Sequence, residues 1–130
     1  MKKTTDHPLH IYVAGPLSNV DGRPASPKER IENARTADAL GRELYLMGHW
    51  PFIPHTMTLW WFDDPHPDFK DYKKIVAEFD IKGWLSLCDA VYFLPGWSDS
   101  KGSRMERRAA KRLGIPAIFK LKDVPKLVKE

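Results

Sequence analysis

The sequence predicts an α/β fold, a single domain built on a parallel sheet of four to five strands with helices on both faces. Three observations carry this. Short β-branched or aromatic runs alternate with longer stretches of helical spacing, in the order β-α-β-α-β-α-β. One run, Ala90-Val91-Tyr92-Phe93-Leu94, is nearly all apolar, as a strand covered on both faces requires. A length of 130 residues, 42% of them apolar and 29% charged, leaves room for one core and no second.

The elements follow in order. Residues 1–8 are expected to be flexible. His10-Ile11-Tyr12-Val13-Ala14 reads as the first strand, ended by Gly15-Pro16. Residues 17–25, with Gly22 and Pro24, read as a loop. Ser26-Pro27-Lys28-Glu29 is a capping box with proline at the first helical position. The helix it opens carries Ile31, Ala34, Ala37, Leu40, Leu44 and Met47 at helical spacing and stops at Gly48. Trp50-Pro51-Phe52-Ile53-Pro54 is a weak second strand, and its two prolines suit a sheet edge. Residues 55–69 read as a long irregular loop, of the kind that is usually functional or ordered by a partner. A second helix spans 70–87, with Ile75, Val76, Phe79 and Leu85 inward. The third strand, 90–94, leads through the loop 95–102 into a third helix ending at Leu113 and capped by Gly114. Ile115-Pro116-Ala117-Ile118-Phe119 is the fourth strand, and 123–129 reads as a short closing helix.

The natural winding of these strands is flavodoxin-like (Rossmann-like), with order 2-1-3-4(-5). Its switch point lies between the first and third strands, where ligands bind beyond the carboxyl ends. That rule brings the loops 15–25 and 95–102 together, so topology locates the site before any motif is invoked.

Composition narrows the function classes. No apolar run approaches the ~20 residues of a membrane span, and the first eight residues lack the apolar stretch of a signal peptide. No membrane partner and a cytoplasmic location are expected. The single cysteine, Cys88, reads as a buried, inert thiol. The net charge of +4 arises largely after residue 100, where Arg104, Arg107, Arg108 and Lys111 form one helical stripe. The stripe is a solvated face or a field that draws in a small anion such as a phosphate. It matches no nucleic-acid-binding motif, and nucleic acid is not expected as a partner. His49, His55, Asp63, Asp64 and His66 have no spacing that suits a metal, so neither metal nor cofactor is expected.

The most informative stretch is Pro95-Gly96-Trp97-Ser98-Asp99-Ser100-Lys101-Gly102-Ser103-Arg104-Met105-Glu106. Glycines, three serine hydroxyls and the free N–H groups of a helix N-terminus suit an anion, above all a phosphate. Without a Gly-Lys-Ser/Thr ending it is not a Walker loop. Two readings of Glu106 stand side by side. Ser103-x-x-Glu106 spells a second capping box, in which Glu106 only bonds back to a backbone N–H. Alternatively, a carboxylate near the front of a helix, kept ionised by the dipole, attacks or supports a sugar carbon with oxocarbenium character.

Ile11-Tyr12-Val13-Ala14-Gly15-Pro16 resembles the opening strand and loop of the nucleoside 2-deoxyribosyltransferase-like superfamily. Asp80, then Leu85 and Cys88-Asp89-Ala90-Val91, then Ser100-Lys101-Gly102 with Glu106, resemble its central signature. The likeness runs over residues 9–119. It implies Glu106 as catalytic nucleophile, Asp80 as the group assisting proton transfer, and Tyr12 lining the sugar site. Ser100 with Gly102 resembles the 2′-deoxynucleoside 5′-monophosphate N-hydrolase branch, where serine replaces the aspartate that nucleoside transferases place six residues before the glutamate. A carboxylate there would repel a phosphate, and a hydroxyl can donate to one. Ser98, Ser100, Ser103 and Gly102 are then phosphate-side candidates with Trp97 beside them. Gly15, Ser18 and Arg23 are candidates in the first loop, where the pattern departs from that branch. Trp60, Trp61 and Phe62 either stack on a base or bury in the core or against a neighbouring subunit. His55 is either a contact to base or phosphate or an ordinary surface histidine.

The expectation is an N-glycosidase hydrolysing the base–sugar bond of a (deoxy)nucleoside 5′-monophosphate through a glutamate nucleophile. Base exchange between deoxynucleosides and a non-catalytic nucleotide-binding module are the alternatives. A small-molecule nucleotide is the expected partner, together with a second copy of the chain, as a dimer or higher homo-oligomer.

Overall fold

The computed structural model describes residues 2–20 and 22–128. Thr4–Thr5 (β1) precedes the first long strand, His10–Ala14 (β2). A small antiparallel hairpin, Asn19–Val20 (β3) and Arg23–Pro24 (β4), occupies the loop expected at 17–25. Helix α1, Pro27–Leu46, follows. Its capping box is present in both directions: Ser26 Oγ accepts from the Glu29 N–H, and Glu29 accepts from the Ser26 N–H.

Trp50–Phe52 (β5), Ala90–Phe93 (β6) and Ala117–Ile118 (β7) join β2 in a four-stranded parallel sheet of order β5-β2-β6-β7. The proline-bearing β5 is an edge strand, where Pro51 costs the ladder least. Central β2 pairs with both β5 and β6, in register Ile11↔Pro51 and Ile11↔Ala90.

Alternation along β2 and β6 divides the core in two. Ile11, Val13, Ala90 and Tyr92 face α1 and pack with Ala37, Leu40 and Leu44. Tyr12, Ala14, Val91 and Phe93 face the other way and pack with Val76, Ile81, Leu85, Ala109 and Ala110. All four residues of β6 are buried, as its apolar sequence demands.

Three expected elements differ. The segment 55–69 is not an irregular loop: Pro54–Thr58 (α2) leads into 3-10 turns at Leu59–Asp63 and Pro67–Phe69. Proline at a first helical position and aromatic packing of Trp61 and Phe62 order it locally.

The second helix is not uniformly α. Asp71 caps Tyr72–Lys74 (α3) through a bond from the Lys74 N–H. The helix then widens into a π-helical segment, Ile75–Trp84, and closes in a 3-10 turn at Leu85–Leu87. Asp80 follows the buried Val76 at the helical i+4 spacing, whereas Ile81, buried at i+5, is brought inward by the wider turns, and a 3.6-residue period does not select it.

The tail forms a 3-10 turn, Leu121–Asp123, and then Lys126–Leu127 (β8), rather than a closing helix; residue 129 lies outside the described residues. β8 pairs in parallel with β1, in the stretch expected to be flexible, as a separate two-stranded sheet. Helix α4, Lys101–Leu113, ends as expected at Gly114, whose φ of 69° is left-handed. Among the described residues, no helix is long and apolar enough to cross a membrane.

Candidate active site

The candidate site is a narrow cleft at the carboxyl end of the sheet. Gly15, which follows β2, forms one wall. His55 and Thr58 of α2 form another, and Tyr72 of α3, Asp80 of the π segment and Glu106 of α4 complete it. The cleft encloses about 10 Å³, no more than a single water requires.

Glu106 is the organising group. Its side chain is buried, and Oε2 accepts a hydrogen bond from the Tyr12 hydroxyl. The capping-box reading of Glu106 is therefore wrong. Helix α4 is capped one turn earlier, by Ser100, whose Oγ accepts from the Ser103 N–H at 3.4 Å. That leaves Glu106 in the second turn, on the buried side with Ser103, Ala109 and Ala110.

Burial raises the Glu106 carboxyl well above the usual range, and the Asp80 charge raises it further. The Tyr12 hydrogen bond opposes both, because it stabilises the ionised form. The helix dipole is thus not what governs this carboxylate. Tyr12 is itself fully buried, and burial and the Glu106 charge hold its phenol protonated. It does not line the cleft, and its hydroxyl meets Glu106, which does. Phe52 stacks on the Tyr12 ring at 5.8 Å, and Trp84 stacks on Phe52 at 4.3 Å.

Asp80 is buried, and its Oδ1 has no hydrogen-bond partner among the described residues. Desolvation pushes its pKa up to about 7. The two acids therefore share one low-dielectric space and titrate as a coupled pair.

His55 is buried, not a surface histidine. Nε2 carries the proton and donates to the Gly15 carbonyl at 2.9 Å, while the bare Nδ1 has no partner among the described residues. Burial lowers its pKa to about 4, so the ring is neutral at physiological pH. Gly15 cannot carry a side chain unnoticed: a Cβ there would lie 2.8 Å from Leu94 Cδ1.

The remaining candidates divide. Ser18 is half-buried beside the Tyr72 phenol, and a Cβ added at Gly102 would lie 3.6 Å from the Tyr72 ring and 3.5 Å from Val76 Cγ2. Ser100 and Ser103 are buried at the front of α4, and Ser103 Oγ has no partner among the described residues. Neither serine lines the cleft in its narrow form.

Six further candidates lie outside the lining of the cleft. Arg23 makes a bidentate pair with Glu29 at 2.8 and 2.7 Å, on the hairpin side of α1. Trp97 packs on Phe93 and Phe119, and the exposed Ser98 offers its carbonyl to Arg104. Trp61 packs on Phe69 and Phe79, and Phe62 packs on Tyr72 with the Arg30 guanidinium over its face. Trp60 is exposed.

Tyr72 and Thr58 are cleft residues that sequence reasoning missed. Neither belongs to a motif, and only the folding of 54–74 over the sheet end brings them in. Cys88 is half-buried, and burial and then Asp89 push its thiol up to about 11, which keeps it protonated. Among the described residues there is no group of three or more His, Cys, Asp or Glu able to hold a metal.

Residues 9–119 match the family model described as a domain of unknown function, DUF4406, and the chain belongs to that family. No curated protein matches the chain.

Proposed function

We propose that this member of the DUF4406 family is an N-glycosidase that hydrolyses the base–sugar bond of a nucleoside 5′-monophosphate. The observation that carries the reading is the pairing of two buried carboxyl groups, Glu106 and Asp80, on one cleft, with the Tyr12 phenol directed at the first. The resemblance of 9–119 to nucleoside 2-deoxyribosyltransferase-like proteins and a flavodoxin-like winding point to the same chemistry.

The roles follow from the environments. Glu106, in the ionised form that the Tyr12 hydrogen bond favours against burial and the Asp80 charge, attacks C1′ of the sugar while the C1′–N bond breaks and its electron pair leaves with the base. Asp80, protonated near neutrality, gives its proton to the departing base. Water then attacks C1′, displaces Glu106 and returns a proton to Asp80. As a coupled pair on one cleft, the two carboxyl groups share one proton and one negative charge, and that shared state supplies both halves of this cycle.

Ser103, Ser100 and the Gly102 N–H at the start of α4 supply donors for the 5′-phosphate. A nucleotide is far larger than the cleft, so binding requires Tyr72 and α2 to move outward from the sheet end. Tyr72 lines the cleft, and a Cβ added at Gly102 would meet its ring at 3.6 Å, so the same ring neighbours the start of α4.

Incubation with a panel of ribo- and deoxyribonucleoside monophosphates, with free base followed by chromatography, tests the proposal. Base release that disappears in Glu106→Gln is expected. A new nucleoside on adding a second free base would indicate transfer instead, and no release from any monophosphate would overturn the enzymatic reading.

A further inference from the structure

A second cavity, far roomier than the carboxyl cleft, opens elsewhere on the molecule. It lies beside the outer strand β7, encloses about 640 Å³, and shares no residue with the cleft around Glu106. That volume is in the range of small-molecule sites. Its floor is apolar, formed by the buried Ile118 and Val124, and Phe119, 42% exposed, forms an apolar wall.

Its rim is cationic. Lys2 and Lys3 approach from the N-terminal segment, Lys122 from the turn after β7, and Lys126 from β8. These four lysines face one carboxylate, Asp123. Lys3, Lys122 and Lys126 form no ion pair among the described residues. The β1–β8 pairing holds the two chain ends together, so lysines distant in sequence converge on one concavity. Like charges gathered in this way repel one another, and a multivalent anion relieves that repulsion as a single ion cannot.

We propose that this cavity is a second binding site, for a small anion carrying two or more linked phosphates, held by Lys3, Lys122 and Lys126 over the Ile118–Val124 floor. It is independent of the reaction assigned to Glu106, and it places a phosphate-responsive site on the two chain ends.

Titration of the full chain with inorganic tripolyphosphate, by calorimetry and by amide chemical-shift mapping at low salt, tests it. One saturable site with Kd below about 1 mM is expected, with shifts confined to residues 3–4 and 117–126. Lys122→Glu/Lys126→Glu should weaken binding at least about tenfold. Arg108→Glu/Arg112→Glu, which changes the net charge equally on α4, should leave it within about twofold. Absence of saturation, equal weakening by both pairs, or shifts centred on Gly102 and Ser103 would each overturn the proposal. The last outcome would place the phosphate at the Glu106 site, and Glu106→Gln base-release assays decide that reading separately.

Discussion

The Tyr12 hydroxyl donates a hydrogen bond to Glu106 across 94 positions of sequence, from the central strand to the helix that follows the third strand of the sheet. Both groups are buried, so the bond acts in a low-dielectric space where it is worth more than at a surface. It is the one favourable interaction set against burial and the Asp80 charge on this carboxylate.

Tyr12→Phe removes the donor and keeps the ring stacked on Phe52. Loss of a hydrogen bond to a charged group, about 1.5–3 kcal/mol, should lower base-release kcat roughly 10–100-fold. With the donor gone, the Glu106 pKa rises, so the acid limb of the pH–rate profile moves to higher pH. An unmoved limb would show that Tyr12 does not tune Glu106.

Asp80 and His55 give stability opposite pH slopes. Asp80 rises from 3.8 to about 7 on folding, so the native state binds more protons than the unfolded chain between those values. Its contribution is present below about pH 4 and is lost as pH rises to about 7, a span of roughly 4 kcal/mol. His55 falls from 6.5 to about 4, so its contribution is present above pH 6.5 and is lost as pH falls toward 4. Glu106, raised like Asp80, adds to the Asp80 slope, so urea denaturation across pH 4–8 should show wild-type stability falling as pH rises, with His55 offsetting part of the fall. Asp80→Asn should be more stable than wild type at pH 8, and its stability should fall less than that of the wild type as pH rises.

His49 is buried, with Nδ1 accepting from the Leu9 N–H at 3.1 Å and Nε2–H donating to the Pro125 carbonyl at 2.7 Å. It ties the entrance of β2 to the segment that leads into β8. His49→Ala leaves both backbone groups without their partner and opens a cavity, which should cost about 2–4 kcal/mol. The melting temperature should fall by roughly 7–15 °C, with early loss of amide protection in the β1–β8 pair.

Gly15→Ala sets a Cβ 2.8–2.9 Å from Leu94 side-chain atoms, and Leu94 is itself buried. Overpacking there should cost about 1–3 kcal/mol by chemical denaturation. Because the two residues touch, Gly15→Ala combined with Leu94→Val should be less destabilising than the sum of the single changes. Strict additivity would place the strain elsewhere.

The α/β character, the edge place of the Pro51 strand, the Ser26–Glu29 capping box and the Gly114 stop were legible in the sequence. Each depends on a local rule: alternation, a missing N–H, a side chain reaching three residues along, or a left-handed cap. The Ser103-x-x-Glu106 spacing obeyed the same kind of local rule and misled, because Ser100 wins the cap and turns Glu106 inward. The π segment lies beyond helical periodicity too, since turns widened by i→i+5 bonding change which residues face inward.

By itself, then, the sequence determined the layer architecture and pointed to the carboxyl ends of the strands, where the candidate cleft lies. Only the tertiary structure decided what that site contains. Tyr12, Asp80 and Glu106 meet because three separate elements bury one face each on the same side of the sheet. Tyr72 and His55 join them through a segment with no motif of its own. The protonation of the acids was decided at that level as well, because desolvation is a property of packed neighbours and not of spacing along the chain.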